Sequence, residues 1–178
     1  HQPQSTDNYY AQLLLPRNFK TKGVPAHLLD TCTLDNGTTA VVNNSPIIAH
    51  EQGQWCVFPD LEERSQYTGA YKAGNIDIFA NLLRTNGMEN MGRKFLMASG
   101  NLQTLCYKYE IERNLRTKDY SGFQLLGLND YSGQGSAMVC LLNVFWKEKG
   151  YCDANRFRQF CSPLVPLAQF PRFVYTDE

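Results

Sequence analysis

The chain has 178 residues, enough for one domain with a real core. Apolar residues make up 43% and charged residues 19%, and 17 basic side chains balance 17 acidic ones. A net charge of zero removes the basic surplus that drives binding to nucleic acid or to anionic membranes.

No apolar run approaches the roughly 20 residues that span a bilayer, and no secretion signal is visible. The chain starts at His1 rather than Met. Export is therefore left open, and a periplasmic or extracellular full-length protein is compatible with the sequence. Residues 1–45 show little periodicity. Pro3, Pro16, Pro25 and the Asp35-Asn36-Gly37 turn break them up, with room for a short strand at 38–42. So long an irregular connection is improbable inside a compact domain, an early sign that the chain is part of something larger.

Residues 47–49, Ile-Ile-Ala, predict a buried strand. It ends in a dense polar cluster of His50, Glu51, Gln52 and Gln54, with Gly53 among them and Trp55 beside them. A carboxylate next to an aromatic ring at a strand's C-terminal end is one way for a barrel to hold a catalytic group against a sugar. The plainer alternative is a strand ending in a solvated loop. Residues 59–71 are polar and loop-like. Residues 75–84 predict a helix with Ile76, Phe79, Leu82 and Leu83 on one face, capped by Asn75 and ended by Asn86-Gly87.

Residues 90–116 carry the longest helical pattern. Phe95, Leu102, Leu105, Cys106, Tyr109 and Leu115 fall near helical spacing, with Gly100 tolerated inside at about 1 kcal/mol. Glu110, Glu112, Arg113 and Arg116 are expected on its solvated outer face. Residues 122–128 predict a second buried strand, ending in the polar segment 129–135. Residues 137–149 predict an apolar helix carrying Met138, Leu141, Leu142, Phe145 and Trp146. Asp153 caps a short helix through Phe160, Pro163 and Pro166 mark a linker, and residues 173–176 predict a last strand.

Strands joined by helices imply parallel pairing with right-handed crossovers. Both strands end in polar clusters at their C-terminal ends, where parallel α/β folds hold their sites. Glu51 and Asp130 are thereby expected to face one opening. Segment 129–135 lacks the Lys-Ser/Thr of a phosphate loop and the G-x-G-x-x-G spacing, so nucleotide binding is not expected. His50 beside Glu51 is too sparse for a metal centre, since neighbours along a regular strand point to opposite faces. No Gly-x-Ser-x-Gly elbow is present. The six cysteines form no C-x-x-C pair and match no zinc spacing. Cys106 and Cys140 are expected in the core, and all six are expected to be reduced. Neither a metal nor a cofactor is implied. Two weak glycosylation patterns occur, at Asn36-Gly37-Thr38 and Asn43-Asn44-Ser45. Two carboxylates with Trp55, Tyr131, Gln52, Gln54 and Gln134 suit a carbohydrate. Its apolar C–H faces stack on rings, and its hydroxyls bond amides and carboxylates.

Several stretches carry a family resemblance. They are Pro46-Ile47-Ile48-Ala49-His50-Glu51-Gln52-Gly53-Gln54-Trp55, Tyr67-Thr68-Gly69, Ala98-Ser99-Gly100, Cys106-Tyr107, Glu110-Ile111-Glu112, Leu115-Arg116-Thr117 and the run from Gly122 to Gly135. Together they resemble the C-terminal part of the catalytic barrel of bacterial proteins similar to glycoside hydrolase family 2, the β-galactosidase-like enzymes. The resemblance covers roughly residues 45–178. It implies an α/β fold: the last portion of a (β/α)8 TIM barrel, about strands 7 and 8 with their helices, leading into the start of a β-sandwich. The implied division is an irregular connection over 1–45, a partial catalytic barrel over 46–161, and a linker with the first sandwich strand over 162–178.

The resemblance also implies a retaining mechanism with Glu51 as nucleophile at the end of the seventh strand. His50, Gln52, Gln54, Trp55, Asp130 and Gln134 would bind substrate. The family's acid/base glutamate follows an Asn, and no Asn-Glu pair occurs in this chain. Related sequences also carry Asp at the position of Gly127. A closed barrel takes about 250 residues, so the chain has room for about its last quarter. Taken alone, it is expected to hydrolyse little or nothing. The alternative reading is a non-catalytic carbohydrate-binding or scaffold domain in which Glu51, Trp55 and Asp130 only bind.

Overall fold

A computed structural model of the chain describes residues 47–116 and 120–168, with side chains over 51–116 and 122–168. The expected elements at 1–45 and 173–176 lie outside the described residues. The described part combines helices with a small parallel sheet. Strand β1 (Ile47–Gln52) pairs in parallel with β2 (Tyr120–Leu125). Between them come helix α1 (Gly74–Thr85) and the long helix α2 (Gly92–Arg116), and a short helix α3 (Ala154–Arg158) follows β2. No described helix is long and apolar enough to cross a membrane.

Local chemistry explains most of these boundaries. The loop expected at 59–71 contains a 3-10 helix, Leu61–Gln66, whose N-cap Asp60 accepts from Glu62 N–H at 3.1 Å. Helix α1 is not capped by Asn75, as the sequence suggested. Its N-cap is Ala73, with no side-chain bond, and Asn75 Nδ2 instead donates to Gly135 O at 2.7 Å. The predicted C-terminal stop holds. Gly87, at φ 66°, lets its own N–H reach Arg84 O and Met88 N–H reach Leu83 O, a Schellman closure. Ile76 and Leu83 are buried as expected, but Leu82 is exposed.

Helix α2 differs most from its expected orientation. Leu102, Leu105 and Leu115 are exposed, while Gln103, Glu110, Arg113 and Asn114 are buried with Leu96, Tyr107 and Ile111. Glu110 and Arg113 therefore leave the outer face assigned to them, and Glu112 is partly buried in an ion pair with Lys108. Buried polar groups are tolerated where each finds a partner: the end of β1 and the loop after it serve Gln103, Glu110 and Asn114, and Arg113 donates to the Tyr109 hydroxyl on α2 itself.

The expected helix over 137–149 is absent. Leu142 bridges Asn129 in parallel and Glu148 antiparallel. The cause is Asn143, whose Oδ1 accepts from Phe145 N–H (2.9 Å) and Lys147 N–H (3.0 Å). Trp146 takes φ 63° within that turn. An Asn side chain that captures nearby N–H groups offers the backbone an alternative to helix. Strand β2 also stops at Leu125, three residues short of its apolar run.

The core joins Val57, Leu96, Tyr107, Ile111, Leu141, Tyr151, Cys152 and Phe160. Cys106 and Cys140 are buried as expected, and Cys56, Cys106, Cys140, Cys152 and Cys161 are all free thiols. Gly100 lets α2 approach the Tyr151 ring: a Cβ there would lie 2.2 Å from it. That ring is held by its hydroxyl on Gln103 Oε1 at 2.6 Å. Gly100→Ala gains about 1 kcal/mol of helix propensity but overpacks the ring by about 1–3 kcal/mol or more. A net loss of about 1–2 kcal/mol is expected from these opposing terms, read as a lower denaturation midpoint in urea. A higher midpoint would show that the ring yields freely.

Candidate functional site

Glu51 sits at the C-terminal end of β1, where the ladder is irregular. Ala49 pairs with Phe123 and Gln52 with Leu125, three steps along β1 against two along β2. The extra residue is a bulge, a device that re-aims side chains and is frequent beside active sites. Glu51 adopts φ 56° within it, and Gly53 follows at φ 89°. A non-glycine residue in the left-handed region is uncommon and is held only by its surroundings. The alternation that would send His50 and Glu51 to opposite faces applies to a regular strand, which this is not. The His50 side chain lies outside the described ones.

Glu51 is half-buried, and its Oε2 accepts from Gln54 Nε2 at 3.2 Å. The residues after it are tied down by one face of α2, at the helical spacing 103, 107, 110, 114. Asn114 Nδ2 donates to Gln52 Oε1 at 3.1 Å. Glu110 accepts from Gly53 N–H on Oε2 (2.9 Å) and from the Trp55 indole N–H on Oε1 (3.0 Å). Gln103 Nε2 donates to Trp55 O (2.6 Å) and Val139 O (2.9 Å), and Tyr107 OH to Val139 O (3.0 Å). Gly53 lies against the Tyr107 ring, 2.0 Å from where a Cβ would stand, so no other residue fits. Burial drives the Glu110 pKa up to about 7 against the pull of its Trp55 and Gly53 donors. Burial likewise pushes the Tyr107 hydroxyl up.

The second polar cluster follows β2. Asp130 is 5% exposed; its Oδ2 meets Lys149 Nζ at 2.6 Å and its Oδ1 accepts Cys140 N–H at 3.0 Å. Lys149 Nζ also donates to Cys140 O at 2.7 Å. Burial raises the Asp130 pKa, against the opposing pull of Lys149. Asp130 and Gln134 line one small pocket of about 20 Å³ with Glu63, Tyr67, Asn75 and Tyr131. Burial, partly offset by the Tyr67 hydroxyl, raises Glu63 as well. A larger cleft of about 220 Å³ lies between the 3-10 helix and the start of α2, walled by Asp60, Glu62, Glu89 and Arg93. Glu51 lines neither. At Gly127 a Cβ would stand 3.0 Å from Cys140 Sγ, so a larger residue needs that thiol to move.

The structure thus bonds Glu51 to Gln54, ties Gln52 and Trp55 to side chains of α2, and brings Asp130 and Gln134 to one pocket. Sequence reasoning missed Glu110, Gln103, Asn114 and Lys149. The first three share one helical stripe with Tyr107, a signal that the apolar spacing of neighbouring leucines obscured. Among the described residues, no group of three or more His, Cys, Asp or Glu side chains could hold a metal ion. Compared with known proteins, the chain matches no protein-family model and no curated protein.

Proposed function

We propose that this chain supplies the nucleophile portion of a retaining glycoside hydrolase whose barrel is completed by further sequence of the full-length protein. In this reading the Glu51 carboxylate attacks the anomeric carbon and the glycosidic bond breaks. A separate carboxylic acid protonates the departing oxygen, and water then releases the sugar from its ester with Glu51. The supporting observation is the left-handed bulge at Glu51 on the C-terminal end of a parallel strand, together with the family resemblance of the flanking motifs.

The acid/base is sought elsewhere on physical grounds. A general acid needs a raised pKa and access to the leaving group. Three described carboxylates have raised pKa values, Glu63, Glu110 and Asp130, and all three are buried. Both Glu110 oxygens are occupied by Gly53 and Trp55. Asp130 is held by Lys149 and Cys140.

A screen of nitrophenyl glycosides tests this division of labour. The 178-residue chain is expected to show no turnover above buffer, and a longer chain that restores the upstream barrel strands is expected to turn over at least one sugar. Robust turnover by the 178-residue chain, abolished by Glu51→Ala, would overturn the claim that the acid/base lies outside it.

A further inference from the structure

We propose that Glu110 is the positioning residue of the Glu51 site, holding the strained bulge in place by clamping the backbone that follows it. The inference deepens the reading of Glu51 as a nucleophile, but it stands on geometry that exists whether or not the chain takes part in hydrolysis. Glu51 at φ 56° needs an external restraint, because a non-glycine residue relaxes out of the left-handed region when nothing opposes it. The ladder to β2 holds one side of the bulge, through Leu126 N–H on Gln52 O at 2.9 Å, and Glu110 holds the segment just downstream at two points. One oxygen holds Gly53 N–H and the other holds the Trp55 indole N–H, across 57 and 55 residues of sequence. Gln103 and Asn114, on the same face of α2, fix the flanking Trp55 carbonyl and the Gln52 side chain. The Glu110 bonds are the ones that change with protonation.

A carboxylate accepts both bonds fully, whereas a carboxylic acid keeps one good acceptor and turns the other oxygen into a hydroxyl. Among the described residues, the ionisable groups raised by the Glu110 charge are Cys106 and Tyr107 on its own helix. Cys106 is pushed up to about 11, first by burial and then by Glu110, and Tyr107 is pushed up as well, so both stay neutral through pH 7. The strand segment contributes Glu51 itself, two residues before Gly53, and the donors Gly53 and Trp55, which do not titrate. The clamp is therefore governed by one proton on Glu110, with its midpoint near the raised value of about 7.

The signs of the two consequences are opposite. The folded chain holds the Glu110 proton more tightly than the unfolded chain does. Its contribution to global stability is therefore full below pH 4.5 and is lost as pH rises through about 7. The local clamp tightens over the same interval. Order at Glu51 is gained as overall stability falls.

Backbone amide NMR of the 178-residue chain tests this without any activity. The Gly53 amide proton is expected to move downfield as pH rises, and the Glu51 backbone resonances should move with it, both with a midpoint near 7. In Glu110→Gln, which keeps one acceptor and cannot ionise, the transition near pH 7 should be absent from both resonances. Trp55→Phe removes one donor only and keeps the Gly53 bond, so the Gly53 titration should survive in it. Three results would overturn the proposal: a wild-type Gly53 amide that does not titrate near 7, a transition near 7 that persists in Glu110→Gln, or Glu51 resonances that show no transition near 7 when Gly53 does. If Glu110→Gln fails to fold, the wild-type and Trp55→Phe titrations decide the question. The functional arm uses the longer, barrel-complete chain. Its rate of covalent labelling by a 2-fluoro glycoside should fall about tenfold below pH 6, with no change in final stoichiometry. Absence of labelling at every pH counts against the nucleophile reading alone, since the amide titration is read independently.

Discussion

Replacing Lys149 by Met is expected to lower the unfolding free energy by about 3–5 kcal/mol. Lys149 and Asp130 are almost fully withdrawn from water and 2.6 Å apart. Removing the ammonium leaves a buried carboxylate whose one remaining partner among the described residues is the Cys140 N–H. It also strips Cys140 O of one donor, although Tyr151 OH still reaches that oxygen at 3.3 Å. The cost comes from the orphaned charge and not from the worth of the pair, so it has two signatures. First, the deficit shrinks at low pH. The folded-state pKa of Asp130 is raised, so its protonated form is favoured on folding, and stability is lost as pH rises through that value. Second, Asp130→Asn in the Lys149→Met background should recover more than half of the loss, because Asn keeps an acceptor for Cys140 N–H and carries no charge. Urea denaturation at pH 4 and pH 8 reads both. An equal deficit at the two pH values would mean that Lys149 contributes by packing alone.

Glu51→Ala is expected to reduce glycoside hydrolysis by a barrel-complete protein about 10⁴-fold or more, the scale on which loss of a covalent nucleophile acts. The loss should fall on kcat, because in the proposed reaction the carboxylate makes its bond in the transition state, while Gln54, its partner in this structure, remains in place. Added azide should restore turnover of a dinitrophenyl glycoside in this variant. Azide occupies the space vacated by the side chain, forms the bond to the anomeric carbon, and expels dinitrophenolate, which needs no proton. The product is a glycosyl azide of inverted configuration. Restored rates with retained configuration would place the nucleophile elsewhere.

What the sequence made legible follows from the range over which each signal acts. β1, α1, α2 and the parallel pairing of β1 with β2 could be read, because apolar runs, the Asn86-Gly87 stop and a strand–helix–strand order are local signals. The capping of α3 by Asp153 was legible for the same reason; its side chain accepts Arg156 N–H at 2.7 Å. The segment 137–149 was not, since its apolar residues satisfy helical spacing while one side chain, Asn143, folds the backbone into a turn. The facing of α2 was hidden in a different way. Leu102, Leu105 and Leu115 outweigh Gln103, Glu110 and Asn114 on any apolarity scale, and only partners 48 to 62 residues distant make the polar stripe the buried one. The position of Glu51 at a strand end was legible. Its left-handed bulge was not, because nothing in His50-Glu51-Gln52 marks an extra residue until the register against β2 is known.

The fate of the Glu51 carboxylate tests the account most directly. A barrel-complete protein incubated with a 2-fluoro glycoside of its preferred sugar should gain the mass of one fluoroglycosyl group, and peptide mapping should place that group on Glu51. Label on a different carboxylate, or unlabelled enzyme that still turns over substrate, would contradict it.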